Sequence, residues 1–324
     1  MTARTVILDV DTGTDDAVAI MFAALHPDLE LIGLTTVNGN LPVERTTDNT
    51  LRVLDWINRR DIPVHRGLSE PIARRGRLDE IHAFRDSPQD GHGNSLPIPP
   101  TDLAHHDVGA VEYLIETLRS TTEQLTLVAV GPLSNIATAV AIAPSLVDAV
   151  DELVVMGGSH AIGNVTASAE FNIWVDPEAA NVVLSAGFEH LTLVPLDATH
   201  QALFTRANCA DLEDLGTPAG VAAARFIRRR LDAEARSTMA TATPVHDVVC
   251  LAYLVRPDVI GTRHLPVVVD TVSPLTTGRT IIDLRPGTTA VPNAHVALEA
   301  DGALLVDLVM STFAREAAGV RPAG

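Results

Sequence analysis

The 324-residue sequence predicts a single α/β domain over residues 1–324, built on a doubly wound, mostly parallel sheet with extra helices and short C-terminal strands. Three observations lead there. Short apolar runs alternate with amphipathic segments at roughly 30 residues per strand–helix unit, the rhythm of parallel crossovers. Polar residues gather directly after the apolar runs, where an open parallel sheet binds its ligands. No internal repeat and no linker divides the chain, whose length suits one large domain.

Each element has its own signal. Residues 5–8 (TVIL) are a buried strand, and residues 15–25 a helix with acids in its first turn, where the helix dipole favours them. Residues 29–37 (LELIGLTTV) form the second strand. Residues 43–59 form a helix with Leu51, Leu54 and Ile57 on one face, and residues 64–66 a short third strand. Residues 67–106 are long, polar and proline-containing, and a loop of that length in a compact domain is usually functional or mobile. The rhythm resumes with a helix over 107–120, a strand over 125–130 (LTLVAV), a helix over 133–143 and a strand over 152–156 (ELVVM). A helix over 177–186 opens on proline in its first turn, and residues 191–196 return to strand. Residues 205–244 read as helical with a basic patch, Arg225 and Arg228 to Arg230, taken most simply as a solvated face. A helix over 247–255, short strands near 265–299 and a final helix over 303–318 complete the chain.

Composition excludes several activities. The 23 basic residues are all arginine. Without lysine there is no Schiff-base chemistry and no P-loop lysine. The net charge of −18 opposes partnership with nucleic acid or an anionic membrane, and 3% aromatics leave little for base stacking. Cys209 and Cys250 form no metal or redox motif and read as core thiols of a reducing compartment. Asp9 and Asp11 interrupt the first apolar run, so no signal peptide is expected, and no run is long enough to span a bilayer. A cytoplasmic location is the expectation.

The polar residues after the strands form a constellation. Asp9, Asp11, Asp15 and Asp16 follow the first, and Asn38 and Asn40 the second. Gly131 follows Val130; Asn164, Glu170 and Asn172 follow Met156; Asp197 follows Leu196. Four carboxylates within eight residues repel one another. Two such charges about 4 Å apart at an effective dielectric near 20 cost about 4 kcal/mol. A bound cation relieves this, and oxygen-only ligands select a hard ion, Ca²⁺ or Mg²⁺. An EF-hand starting at Asp9 fails, because Thr14 and Ile20 stand where glycine and glutamate are required. The Asp9-Val10-Asp11 string also fits a Mg²⁺-dependent phosphatase of the haloacid dehalogenase type with Asp9 as nucleophile, although the usual phosphate-holding lysine is missing. A non-catalytic ribose- or nucleoside-binding protein is a third reading.

The string DVDTGTDD (residues 9–16) resembles the N-terminal signature of the nucleoside hydrolases, usually DxDPGxDD, with Thr12 in place of proline. TTVNGN (35–40), followed by Thr46, Thr47 and Asn49, is similar to that family's second-strand region. The stretch from 154 to 180 (VVMGGSHAIGNVTASAEFNIWVDPEAA) is similar to its most distinctive segment, and PVHD (244–247) to its C-terminal motif. The resemblance implies calcium-dependent hydrolysis of ribonucleosides to ribose and free base, as in nucleoside salvage, by a metal-activated water with inversion. It further implies that Asp11, Asp16, Asp247 and the Val130 carbonyl hold one Ca²⁺, with Asp11 accepting the proton of the attacking water. Asp15 and Asn172 would meet the ribose 2′- and 3′-hydroxyls, Asn164 and Glu170 the 5′-hydroxyl, and Asn40 and Met156 the sugar. His246 would help protonate the leaving base. The stretch Asp90-Gly91-His92-Gly93-Asn94 resembles a family loop, so His82 or His92 would face the base. Base preference would be set by that loop and by residues 220–245, which offer Phe226 and several arginines. A homodimer or homotetramer is the implied assembly.

Overall fold

The computed structural model describes residues 3–74, 81, 93, 95–121, 124–238 and 240–315, and their side chains except 236–238. His82 and His92 lie outside the described residues.

The apolar runs become strands of one sheet: β1 (Arg4–Val10), β2 (Leu29–Thr36), β3 (Val64–Arg66), β4 (Leu125–Ala129), β5 (Glu152–Met156) and β6 (Leu191–Val194). Two later strands complete it, β12 (Ala294–Ala300) and β9 (Ile260–Leu265), giving eight in the order β3-β2-β1-β4-β5-β6-β12-β9. All neighbours pair in parallel except β12 with β9. An antiparallel strand closing one edge is why the expectation of a mostly parallel sheet holds.

Alternation along β1 explains the two layers of helices. Val6, Leu8 and Val10 point into one core, while Ile7 points into the other. The helices in chain order are α1 (Thr14–Leu25), α2 (Val43–Trp56), α3 (Ala110–Ser120), α4 (Ser134–Ile142), α5 (Phe171–Val175) and α6 (Pro177–Leu184). They continue with α7 (Leu196–Thr199), α8 (Arg206–Asp214), α9 (Pro218–Thr238), α10 (Val248–Val255) and α11 (Gly302–Arg315). Helices α1, α2, α9, α10 and α11 contribute to the core that holds Val6 and Leu8, and α3, α4 and α6 to the other. Among the described residues no helix is long and apolar enough to cross a membrane. Cys209 and Cys250 are free and buried.

Three departures from the sequence-based expectation have local causes. The helix expected over 43–59 ends at Trp56, because Asn58 turns left-handed (φ 57°) and the Arg59 N–H closes onto the Leu54 carbonyl at 2.8 Å. The helical region expected over 205–244 is split. Gly216 (φ 66°) breaks it between α8 and α9, and its flanks form a small antiparallel pair, β7 (Leu203–Thr205) with β8 (Ala242–Pro244). The short C-terminal strands divide between the main sheet and a second two-stranded pair, β10 (Val267–Val269) with β11 (Thr280–Ile282).

Asp176 ties the loop after β3 to α4 and α6. One of its oxygens accepts from Ile72 N–H at 2.8 Å and Ser134 Oγ at 2.6 Å, and the other caps α6 through Ala179 N–H at 3.1 Å. Asp176→Ala removes the acceptor from all three donors, two of them on buried residues, so a loss of about 2–4 kcal/mol is expected in urea unfolding. Asp176→Asn, which keeps one acceptor oxygen, should lose less.

Candidate active site

The strand order places β1 and β4 side by side, with β2 leading to one edge and β5 to the other. This is the topological switch point, and the crevice outside its carboxyl ends is where such sheets bind ligands. The loops after β1, β2, β4 and β5 all open there. Backbone bonds continue past the strands to hold them: Val130 N–H donates to the Asp9 carbonyl and Val37 N–H to the Val10 carbonyl, each at 2.9 Å.

Asp9, Asp11, Asp15, Asp16 and Asp247 are all buried in this crevice. Asp16 sits in the first turn of α1, where its Oδ2 accepts from Gly13 N–H at 2.8 Å and its Oδ1 from Asp11 N–H at 3.1 Å. Asn40 bridges the pair, its backbone N–H donating to Asp11 Oδ2 at 2.5 Å and its side chain to Asp16 Oδ2 at 3.2 Å. Two glycines make room for Asp11. A Cβ on Gly39 would overlap Asp11 Oδ2, and one on Gly131 would lie 2.9 Å from Asp11 Oδ1. Burial first, and then the neighbouring Asp16 charge, push the Asp11 carboxyl well above its usual range. Burial followed by the charges of Asp15, Asp16 and Asp11 does the same to Asp247, and burial with Asp15 raises Asp16 to about 6.

These groups fit a cation. One carboxylate oxygen from each of Asp15, Asp16 and Asp247 lies within 4.8 Å of the others. Asp11 Oδ1 is buried with no hydrogen-bond partner, although an ionised oxygen seeks one. The sequence-based set of Asp11, Asp16 and Asp247 is thus brought into one cluster, but the tightest triangle contains Asp15 in place of Asp11, which the Asn40 N–H holds. The donors are all oxygens and acidic, a set that suits a hard divalent ion.

The second half of the crevice is built on α5. Glu170 caps this helix: its Oε1 accepts from Asn172 N–H at 2.9 Å, and its Oε2 from Gly158 N–H at 2.9 Å and Ile173 N–H at 3.3 Å. Its carboxyl is raised to about 7, because burial outweighs those three bonds. Gly158 presents its N–H from a left-handed turn (φ 77°) that suits glycine. Asn172 is fixed by its amide, which donates to the Val130 carbonyl at 2.8 Å and the Met156 carbonyl at 3.1 Å. Val130, Met156 and Asn172, singled out separately in the sequence, therefore meet at one point. Asn164 does not join them: it is exposed, and its side chain accepts from Phe171 N–H at 2.9 Å. That bond shapes the loop.

His246 precedes Asp247 and is buried, its Nδ1 bonded to Thr199 Oγ1 at 2.7 Å, with the His200 ring 5.7 Å away. The hydroxyl fixes the ring's orientation, a partnership the sequence did not announce.

The arginine patch is not a solvated face. Arg230 Nη1 donates to Asp15 Oδ2 at 2.7 Å, with side-chain exposures of 13% and 7%. Arg228 pairs with Glu213 at 2.5 Å, Arg229 donates to the Ser95 carbonyl at 3.1 Å, and Arg225 lies over the Trp56 ring. Phe226 belongs to the core. The three consecutive arginines point in different directions because residues on a helix are about 100° apart, so a run in sequence is not a patch in space.

Asp9 corrects another expectation. Its Oδ1 accepts from Thr35 Oγ1 and from Asn135 Nδ2, the latter at 2.8 Å, and it has no solvent exposure. Asp9 thus braces the start of the loop through Thr35 and Asn135, and the phosphatase reading has no support. Asp197 likewise stands apart, holding His160 N–H at 2.7 Å and Ala161 N–H at 3.1 Å.

The family model described as inosine-uridine preferring nucleoside hydrolase matches residues 6–307. The chain belongs to the nucleoside hydrolase family. Among its relatives is the pyrimidine-specific ribonucleoside hydrolase RihB of Escherichia coli O157:H7, 40% identical over 87% of this chain and 88% of that protein. Among solved structures, a purine-preferring ribonucleoside hydrolase from Gardnerella vaginalis superposes with a TM-score of 0.86 at 31% identity, covering 97% of this chain and 99% of that one. A plant nucleoside hydrolase superposes with a TM-score of 0.87 at 28% identity, covering 96% and 99%. As a nucleoside hydrolase the protein is an N-ribosyl hydrolase.

The buried Glu170 carboxyl has a consequence for pH. Its folded-state pKa is raised, so its favourable contribution to stability is complete below about 4.5 and is lost as pH rises through about 7. Glu170→Gln does not titrate. Without added cation, the stability of wild type relative to Glu170→Gln should fall between pH 5 and pH 8, on the order of 3 kcal/mol at most. A difference that stays constant across that range, measured by chemical denaturation, means Glu170 is already ionised at pH 5.

Proposed function

We propose that this nucleoside hydrolase cleaves ribonucleosides to ribose and free base in a calcium-dependent reaction that inverts configuration at C1′. The observation that carries the proposal is the buried cluster of Asp11, Asp15, Asp16 and Asp247 at the switch point. Asp11, Asp16, Asp247 and the Val130 carbonyl would hold the ion, which supplies Lewis acidity that lowers the pKa of a water. Calcium is favoured over magnesium because the donors are oxygens from three separate stretches of the chain, and Ca²⁺ accepts many oxygens in irregular arrangements.

The chain's own groups account for the remaining chemistry. Breaking the bond between C1′ and the base nitrogen leaves positive charge on the sugar. A pocket lined by carboxylates stabilises that charge more than it stabilises the neutral substrate, which lowers the barrier. Asp11, enclosed by Gly39 and Gly131 with its Oδ1 left without a hydrogen-bond partner, accepts a proton from the attacking water once ionised. Asp15 accepts from the 2′-hydroxyl. Asn172 and Asn40 address the sugar, Asn164 and Glu170 the 5′-hydroxyl, and Met156 packs against the ring. His246, held through Nδ1 by Thr199, donates from Nε2 to the departing base. Two buried free thiols fit the cytoplasm, where reducing conditions preserve them.

A panel of purine and pyrimidine ribonucleosides, assayed for reducing sugar with calcium present, tests the proposal. The panel spans both classes because the relatives named above carry both preferences. Ribose release is expected for at least one member, lost on chelation, with the α-anomer first in the NMR spectrum. Asp11→Ala should lower kcat by roughly 10²–10⁴-fold or more while remaining folded. No release from any nucleoside contradicts the proposal.

A further inference from the structure

Asp15, Asp16 and Asp247 form the tightest carboxylate triangle of the site, and by distance alone all three are equal candidates to bind the cation. They are not chemically equal. The Arg230 guanidinium lies 2.7 Å from Asp15, with both side chains largely shielded from water. We propose that Arg230 is a positioning residue that withholds Asp15 from the cation and keeps it as the acceptor for the ribose 2′-hydroxyl. This rests on the reading that the site binds calcium and ribose.

Guanidinium stays protonated in proteins, so a divalent ion on the Asp15 carboxylate would meet a fixed positive charge with little water to screen it. Asp16, held by the backbone N–H groups of Gly13 and Asp11, carries no such burden. An ionised carboxylate can accept about four hydrogen bonds, so Asp15 has room for a sugar hydroxyl beside Arg230. The guanidinium is also held in place. Its helix, α9, spans 21 residues and is anchored on other sides by Arg228 to Glu213 and by Arg229 to the Ser95 carbonyl. One charged group would then divide four neighbouring acids into a metal-binding set and a sugar-binding acid. A substrate without the 2′-hydroxyl would leave the Asp15–Arg230 pair buried with an acceptor unused, which penalises 2′-deoxyribonucleosides.

Calorimetric titration of calcium into the cation-free, full-length protein tests this without relying on turnover. Asp15→Asn should bind calcium within about threefold of wild type, and Asp16→Asn at least roughly 100-fold more weakly, as befits a lost ligand. Arg230→Met should bind calcium about tenfold more tightly, a change of about 1.4 kcal/mol. In the same variant, the ratio of kcat/KM for a ribonucleoside over its 2′-deoxy analogue should fall by about tenfold or more. Arg230→Lys, which keeps the charge, should retain wild-type calcium affinity and recover part of that ratio. The proposal is overturned if Asp15→Asn loses as much calcium affinity as Asp16→Asn, or if Arg230→Met binds calcium no more tightly than wild type. If wild type hydrolyses no ribonucleoside, the proposed function fails, while the ranking of calcium affinities still decides the role of Arg230.

Discussion

The mutual repulsion of four carboxylates, buried beyond the carboxyl ends of β1 and β4, is the constraint around which the rest of the crevice is arranged. Asp11, Asp15 and Asp16 come from one loop and helix start, and Asp247 arrives more than two hundred residues later at the head of α10. Nothing apolar stabilises such a grouping. What the chain supplies is a set of oriented N–H donors from Gly13, Asp11 and Asn40, a helix N-terminus, and one guanidinium. These offset part of the repulsion, while burial first and the neighbouring acids second hold the Asp11 and Asp247 carboxyls above their usual range.

Around this centre the scaffold is stiff in the places that matter. Gly39 and Gly131 let two loops close on Asp11 more tightly than any other residue permits. Asp9 lies under the loop and braces it through Thr35 and Asn135. Glu170 caps a five-residue helix and in doing so fixes Asn172, whose amide joins the ends of β4 and β5. Groups proposed to touch substrate are thus held by the scaffold and by one another, the arrangement that keeps a site preorganised.

Much of this was legible in the sequence. Apolar runs with polar punctuation marked the six leading strands, because burial on both faces requires continuous hydrophobic stretches. The acids after β1 stood out through sheer density. The convergence of Val130, Met156 and Asn172 followed from their common position after strands. Other features depend on contacts that no local pattern encodes. The β7–β8 pair is three residues per strand, too short for periodicity to register. The late entry of β12 beside β6 is a matter of topology. Arg230 was hidden inside a run of arginines, and only the helical rotation between neighbours reveals that one faces the crevice while the others anchor the helix. Asn164, matched by motif, also accepts the Phe171 N–H, a loop contact that no motif foretells.

The proposed cation site is lined by carboxyls that burial and neighbouring acids hold above their usual range, so a cation that binds there should displace protons. Calorimetric binding of calcium at pH 7, repeated in two buffers of different ionisation enthalpy, measures this directly, because the difference in heat counts the protons released. Binding of one ion with net release of protons is the expected result. Binding with no proton release, or a native fold that takes up no calcium at all, would contradict it.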